Sequence, residues 1–266
     1  MSLNIVVCVK QVANPDYFSE ITLDPDTGSI QREKIPSILN PLDENAIEEA
    51  LRLRERHGGK VTAISMGPPQ AKEVLDWALT LGADAAILLC DRAFAAADSL
   101  ATAYVLAAGI KELSPVDIIV CGNEAADGAT QQVGPQVAEL LGLPHISAVT
   151  ECIVDDARGV TATRDLEYGY LKIVGTLPLL ISVSRDINTP RTATAEGILT
   201  LMDKEYKEWS ANDISVDKQT IGLVGSPTRV GTVYEQKLER ERLILEGTPE
   251  EMVKRLIAKL NEKALL

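Results

Sequence analysis

DIIVCGNEAADGATQQVGPQVAELLG, residues Asp117 to Gly142, opens as a short Ile/Val-rich run and ends with apolar residues at helical spacing. It reads as strand, loop and helix. The loop between, Gly122 to Ala129, is made of Gly, Ala, Asn, Asp and Glu, so the backbone can turn tightly and leave room for a ligand. A helix starting there presents unpaired N–H groups to an anion. Gln131 and Gln132 add amide donors and acceptors, so a phosphate or pyrophosphate can be held without a lysine. Gly122 and Gly128 are the loop's candidate nucleotide-binding glycines. An ordinary strand-to-helix connection that merely needs glycines would read the same way.

Working outward, Leu3 to Val9 is a β-branched run that predicts a buried strand, and the arms EITL and SIQRE around DPDTG predict a hairpin over Glu20 to Glu33. Asn40 as N-cap and Pro41 at the first helical position begin an amphipathic helix carrying Leu42, Ala46, Ile47, Ala50 and Leu51 and ending at Gly58. His57, at its C-terminal end, reads as a partner for the helix dipole rather than a catalyst. Lys60 to Met66 is a second core strand, and MGPPQ opens a helix that stops at Gly82. Ala83 to Cys90 is the third strand, leading to a helix capped by Asp98 or Ser99 whose surface is nearly all small and apolar, hence buried. This alternation predicts an α/β fold, a parallel sheet covered by helices on both faces. Ligands of such sheets lie beyond the carboxyl ends of the strands, here Cys8–Val12, Met66–Pro68, Cys90–Phe94 and Cys121–Asp127.

After Pro144 the pattern changes. Val149–Val154, Val160–Arg164 and Tyr170–Val174 alternate and are separated by turn residues, which predicts antiparallel strands, and Pro178–Val183 resumes a buried strand. From Asp186 to Gly247 periodicity is weak and turn residues are frequent, so this stretch is expected to be an extended arm, with 186–213 protruding toward a subunit or partner rather than joining the sheet core. Pro249–Leu260 closes the chain with an amphipathic helix. The domain reading is a nucleotide-binding α/β domain over 1–185 and an arm with its C-terminal helix over 186–266.

The chain has 266 residues, is 45% hydrophobic but only 4% aromatic, and carries a formal net charge of −13. That charge argues against a nucleic-acid partner, which requires a basic face. The four cysteines are far apart, form no metal-type spacing and sit mostly in apolar runs as small hydrophobes. There is no secretory signal pattern and no stretch approaching a transmembrane length, which predicts a cytoplasmic protein with no transmembrane segment. GxxxxGKS, GxGxxG after the first strand, GxSxG and HExxH are all missing, and the two histidines pair with no nucleophile. Glu124 and Asp127 read as loop-capping or ligand-contact residues rather than an acid/base pair.

VCVKQV at Val7–Val12, NPLDENAIEEALRL from Asn40, SMGPP from Ser65, ADGATQQVGPQVAELLGLP from Ala126 and ATRDLEYGYLKIVGTLPLLISV from Ala162 occur in an order that resembles the β subunit of electron transfer flavoprotein. The resemblance spans nearly the whole chain. It implies a Rossmann-like fold of the adenine nucleotide alpha hydrolase-like kind, a heterodimer with an α subunit carrying one FAD, and an adenine nucleotide bound in this chain. DRAFAAADSLAT, Asp91–Thr102, is similar to the pattern of electron-bifurcating members, which bind a second FAD that exchanges hydride with NADH, whereas ordinary members bind AMP. The chain departs from that pattern where Ala95 or Ala96 replaces a glycine and Ala129 an acidic residue. Ala195 stands where ordinary members place a leucine that anchors an acyl-CoA dehydrogenase.

By this resemblance Cys8, Asn40, Met66, Asp127, Thr130, Gln131, Gln132 and Val133 would contact the AMP moiety, and Arg92, Ala93, Phe94, Asp98, Ser99 and Thr102 the riboflavin side. Phe94 with the alanines at 95–97 would wall an isoalloxazine ring, and Arg92 would either stabilise a reduced flavin or pair with a neighbouring carboxylate. Expected partners are the α subunit, an acyl-CoA dehydrogenase or similar flavoenzyme, and ferredoxin as an acceptor. A stand-alone adenine-nucleotide sensor forming a homodimer is an alternative of another class. An ATP pyrophosphatase of related fold would need a Ser-Gly-Gly loop after the first strand, which this chain lacks.

Overall fold

In the computed structural model, residues 2–20, 35–229, 231 and 242–266 are described. The hairpin expected over 20–33 falls almost wholly outside them. The chain divides into two compact units, residues 1–231 and 232–266.

In the first unit the strands β1 (Leu3–Cys8), β2 (Gln11–Ala13) and β3 (Ser37–Leu39) precede helix α1 (Pro41–His57) and strand β4 (Gly59–Met66). Helix α2 (Lys72–Leu81), β5 (Ala85–Leu89), α3 (Ser99–Lys111), β6 (Ile118–Gly122) and α4 (Val133–Leu141) continue the alternation. Then come β7 (His145–Val154), β8 (Gly159–Leu166), β9 (Gly169–Thr176) and β10 (Leu179–Val183), and after them α5 (Ala195–Leu199), β11 (Glu205–Trp209) and α6 (Gly222–Gly225). Among the described residues one nine-stranded sheet has the order β11-β5-β4-β1-β6-β10-β7-β8-β9. It is parallel from β11 to β7 and antiparallel only through β8 and β9. A separate antiparallel pair joins β2 to β3.

The central strands are mostly apolar and buried along their length because both their faces are covered. On β1, Leu3, Ile5 and Val7 pack with Ile47 and Leu51 of α1 and Leu75 and Leu79 of α2, while Val6 packs on the other face with Val105 of α3 and Val137 of α4. The same alternation holds on β6, where Ile118 and Val120 face α1 and Ile119 and Cys121 face α3 and α4. Each fully buried Leu or Ile contributes roughly 1.5–3 kcal/mol of burial, so these two layers are the main source of stability. The registers Val7↔Ala63 and Val7↔Val120 bring the carboxyl ends of β4, β1 and β6 to one edge, where the loops converge.

One expectation fails. The 186–213 stretch does not stay clear of the sheet: β11 within it pairs in parallel with β5 as the edge strand, Glu205↔Ala85 to Trp209↔Leu89. Its sequence EYKEW hid this, because an edge strand is only half covered and charges there block pairing with another chain. In the second unit helix α7 (Pro249–Glu262) has a capping box between Thr248 and Glu251 and Pro249 at its start. No helix among the described residues is long and apolar enough to cross a membrane.

Candidate functional site

The loop from β6 to α4 is held by the start of α1. Asn40 is the N-cap residue of α1, yet its side chain makes no cap bond to the helix. Instead its Nδ2 donates to the Glu124 carbonyl at 2.9 Å and its Oδ1 accepts from the Ala126 N–H at 3.0 Å. It fastens the loop as a strand neighbour would. Lys10, just beyond β1, donates from Nζ to both carboxylate oxygens of Asp127 at 2.6 and 2.8 Å. Gln131 Nε2 donates to Glu124 Oε2 at 2.8 Å, closing the loop on itself.

At the far end of the loop Ala129 and Gln131 adopt φ of 45° and 57°, the left-handed region that side chains seldom enter. The N–H groups of Thr130, Gln131, Val133 and Gly134 find no acceptor among the described residues, the arrangement that suits an anion at a helix start. A Cβ built on Gly128 meets nothing within 4 Å. The loop therefore borders open space and exposes N–H donors, which fits a phosphate or pyrophosphate.

The loop after β5 lies beside it. Arg92–Phe94 forms one turn of 3-10 helix, and the Asp91 side chain accepts from its Ala93 N–H. Arg92 is exposed, whereas Phe94 is only 4% exposed and packs with the α3 layer. Asp98 caps α3, its Oδ1 accepting from the N–H groups of Leu100 and Ala101 at 3.0 Å each. Its Oδ2 accepts from the N–H and hydroxyl of Thr228 at 2.9 and 2.7 Å. Burial would raise the Asp98 carboxyl, but the Ala101 N–H, the two Thr228 donors and the Leu100 N–H outweigh it and hold it below the usual carboxylate range. Ser99 Oγ donates to Gln132 Oε1 at 2.7 Å and so ties this loop to the β6–α4 loop.

Residues 210–228 brace the β5–α3 loop, a role with no sequence signal. Asp91 accepts from the Ala211 N–H at 3.0 Å, Leu223 donates to the Ala95 carbonyl at 3.1 Å, and Ser226 Oγ accepts from the Asp98 N–H at 2.8 Å. Irregular backbone bonding of this kind leaves no periodic signature. Ala96, one of the two alanines where a glycine is expected, has φ 57°, in the left-handed region that favours glycine.

Of the remaining expected contacts, Cys8 and Met66 sit half-buried at the ends of β1 and β4, Val133 half-buried at the start of α4, and Thr102 half-buried on the first turn of α3. Ala93 donates its N–H to Asp91. Burial, with Asp43 nearby, pushes the Cys8 thiol up to about 12, and burial with Cys8 and Asp43 nearby raises Cys121 well above its ordinary value. Both stay protonated and act as packing groups. Asp43 and Lys10, absent from the expected set, are central to the geometry. An acidic residue in a helix first turn is too common a feature to single Asp43 out.

Fold and site together define a doubly wound α/β protein with a donor-lined loop at the carboxyl edge of its sheet. The family model for the electron transfer flavoprotein domain matches residues 27–213. "Electron transfer flavoprotein subunit beta" of Clostridium acetobutylicum is 44% identical over 261 residues, covering 98% of this chain and 99% of its own. "Caffeyl-CoA reductase-Etf complex subunit CarD" of Acetobacterium woodii is 39% identical over 266 residues, covering 99% of this chain and 100% of its own. "Protein FixA" of Bradyrhizobium diazoefficiens is 40% identical over 259 residues, covering 95% and 89%. The chain belongs to the electron transfer flavoprotein β-subunit family, whose work is electron transfer.

Proposed function

We propose that this chain pairs with an electron transfer flavoprotein α subunit, that the loops after β5 and β6 hold an FAD, and that the complex passes electrons between NADH or an acyl-CoA dehydrogenase, the α-subunit FAD, and ferredoxin or another acceptor. The observation that carries the reading is the Ser99–Gln132 bond of 2.7 Å, which joins the loop assigned to the riboflavin side to the loop assigned to the AMP side. One continuous surface thereby serves an extended dinucleotide. The N–H groups of Thr130, Gln131, Val133 and Gly134 would hold the phosphates without a lysine, since the Lys10 ammonium is engaged by Asp127. Ser99 and Thr102 would offer hydroxyls to the riboflavin side, and exposed Arg92 a positive charge near it. A bound flavin supplies the one- and two-electron chemistry, and the protein binds and orients it. The left-handed conformation at Ala96, which a glycine would adopt without strain, supports the reading of this stretch as a flavin loop. The name of the Acetobacterium woodii relative supports a redox enzyme acting on a CoA thioester as partner.

A second reading, AMP held as a structural nucleotide, is favoured by Phe94. At 4% exposure it is turned into the core and is not free to wall an isoalloxazine ring. Under either reading Gly128→Val places a branched side chain in the open space beside the loop, where no protein atom lies within 4 Å of the new Cβ. The variant should fold normally and purify without adenine nucleotide. Unchanged nucleotide content would refute the cradle.

A further inference from the structure

Asp43 lies in the first turn of α1 and is 6% exposed. Its Oδ2 accepts from the Lys10 N–H at 2.8 Å and its Oδ1 from the Gly122 N–H at 3.1 Å. These are the residues at which β1 and β6 give way to their loops. Gly122 admits the carboxylate because it has no side chain: a Cβ there would collide with Asp43 Oδ1 and the Leu42 backbone. No cation touches the Asp43 carboxylate, the Lys10 ammonium being bound to Asp127. Burial pushes the Asp43 carboxyl up to about 7, opposed by the Asn40 side chain, the two converging backbone donors and the Lys10 charge.

We propose that Asp43 is a positioning residue for a phosphate-bearing adenine nucleotide: its two-oxygen acceptor locks the ends of β1 and β6 to the start of α1 and thereby sets the shape of the loop that receives the phosphate. The inference rests on the nucleotide-cradle reading above. Only a carboxylate meets both donors. Asparagine has the same shape, yet it offers one acceptor oxygen and would set its NH2 group against the other N–H. The loop beyond Gly122 is the one fastened by Asn40 and carrying the free N–H groups, so a shift at its root is delivered to the phosphate contacts.

The test uses the full-length protein freed of nucleotide, with AMP and adenosine as probes in calorimetry. Asp43→Asn and Gly122→Ala should each weaken AMP binding about tenfold or more, as the loss of a charge-assisted bond implies, while adenosine affinity stays within about twofold. Glu48→Gln is the control: Glu48 is equally buried on the same helix but is tied to Arg52 and Arg191, away from the loop, and should leave the AMP-to-adenosine ratio unchanged. The amide proton resonances of Lys10 and Gly122 should move upfield in Asp43→Asn and not in Glu48→Gln. If Asp43→Asn does not fold, Gly122→Ala decides. AMP binding by the Asp43 and Gly122 variants that matches the Glu48 variant overturns the proposal alone. Equal loss of AMP and adenosine shows general collapse and also overturns it. A wild-type protein that binds neither AMP nor FAD removes the nucleotide reading and this inference with it.

Discussion

Replacing Asp98 by alanine removes an oxygen pair that receives four hydrogen bonds from two separated segments, the first turn of α3 and Thr228. Loss of the N-cap costs about 1 kcal/mol. The two Thr228 donors are exposed and regain water, so their loss adds about 1 kcal/mol more. The sum, about 2 kcal/mol, lowers Tm by roughly 4–8 °C in a unit of this size. Its pH dependence follows from the Asp98 carboxyl lying below its ordinary value of 3.8 in the folded protein. A depressed carboxyl contributes stability that is present above the unfolded value and lost as pH falls through the folded one. Thermal melts of wild type and Asp98→Ala should therefore differ most near neutral pH and converge below about pH 4. A difference that is absent at pH 7, or that persists undiminished in acid, would refute the assignment of Asp98 as the clamp between α3 and Thr228.

Two further substitutions probe the same loop. Ala96→Gly relieves the left-handed strain at φ 57° and should stabilise the protein by about 0.5–1 kcal/mol after the added flexibility of the unfolded chain is counted, read as a rise in Tm. A fall in Tm would contradict it. Gly222→Ala drives a Cβ into the Ala93 carbonyl at a residue with φ 57°, and should cost about 2 kcal/mol or more and loosen residues 91–98 so that flavin is lost on gel filtration. Unchanged melting and flavin content would show that residues 222–226 do not brace that loop.

The parallel sheet was legible because strands buried on both faces read as unbroken apolar runs, as ILL in β5 and IIVC in β6 do, and because the capping signals at Pro41 and Asp98 are local. β11 was not, since EYKEW exposes most of its residues and carries charge at an edge. The site was half legible. Composition marks the Gly122–Ala129 loop, and Asn40 stands at the start of α1 as its residue type predicts. Nothing local says, however, that the Asn40 amide turns away from its helix to hold residues 124 and 126. Asp43, Lys10 and Thr228 act across 33 to 130 positions of sequence, and pairings of that range carry no local pattern.

Cofactor stoichiometry in the isolated complex tests the central claim most directly. Adenine nucleotide and flavin released from the purified heterodimer should amount to two FAD per αβ pair. Ser99→Ala combined with Thr102→Val should release one of them and leave the other, because those hydroxyls belong to the β-subunit loops alone. One FAD and one AMP per pair, unaltered by the double substitution, would contradict the flavin reading and leave a chain that holds AMP.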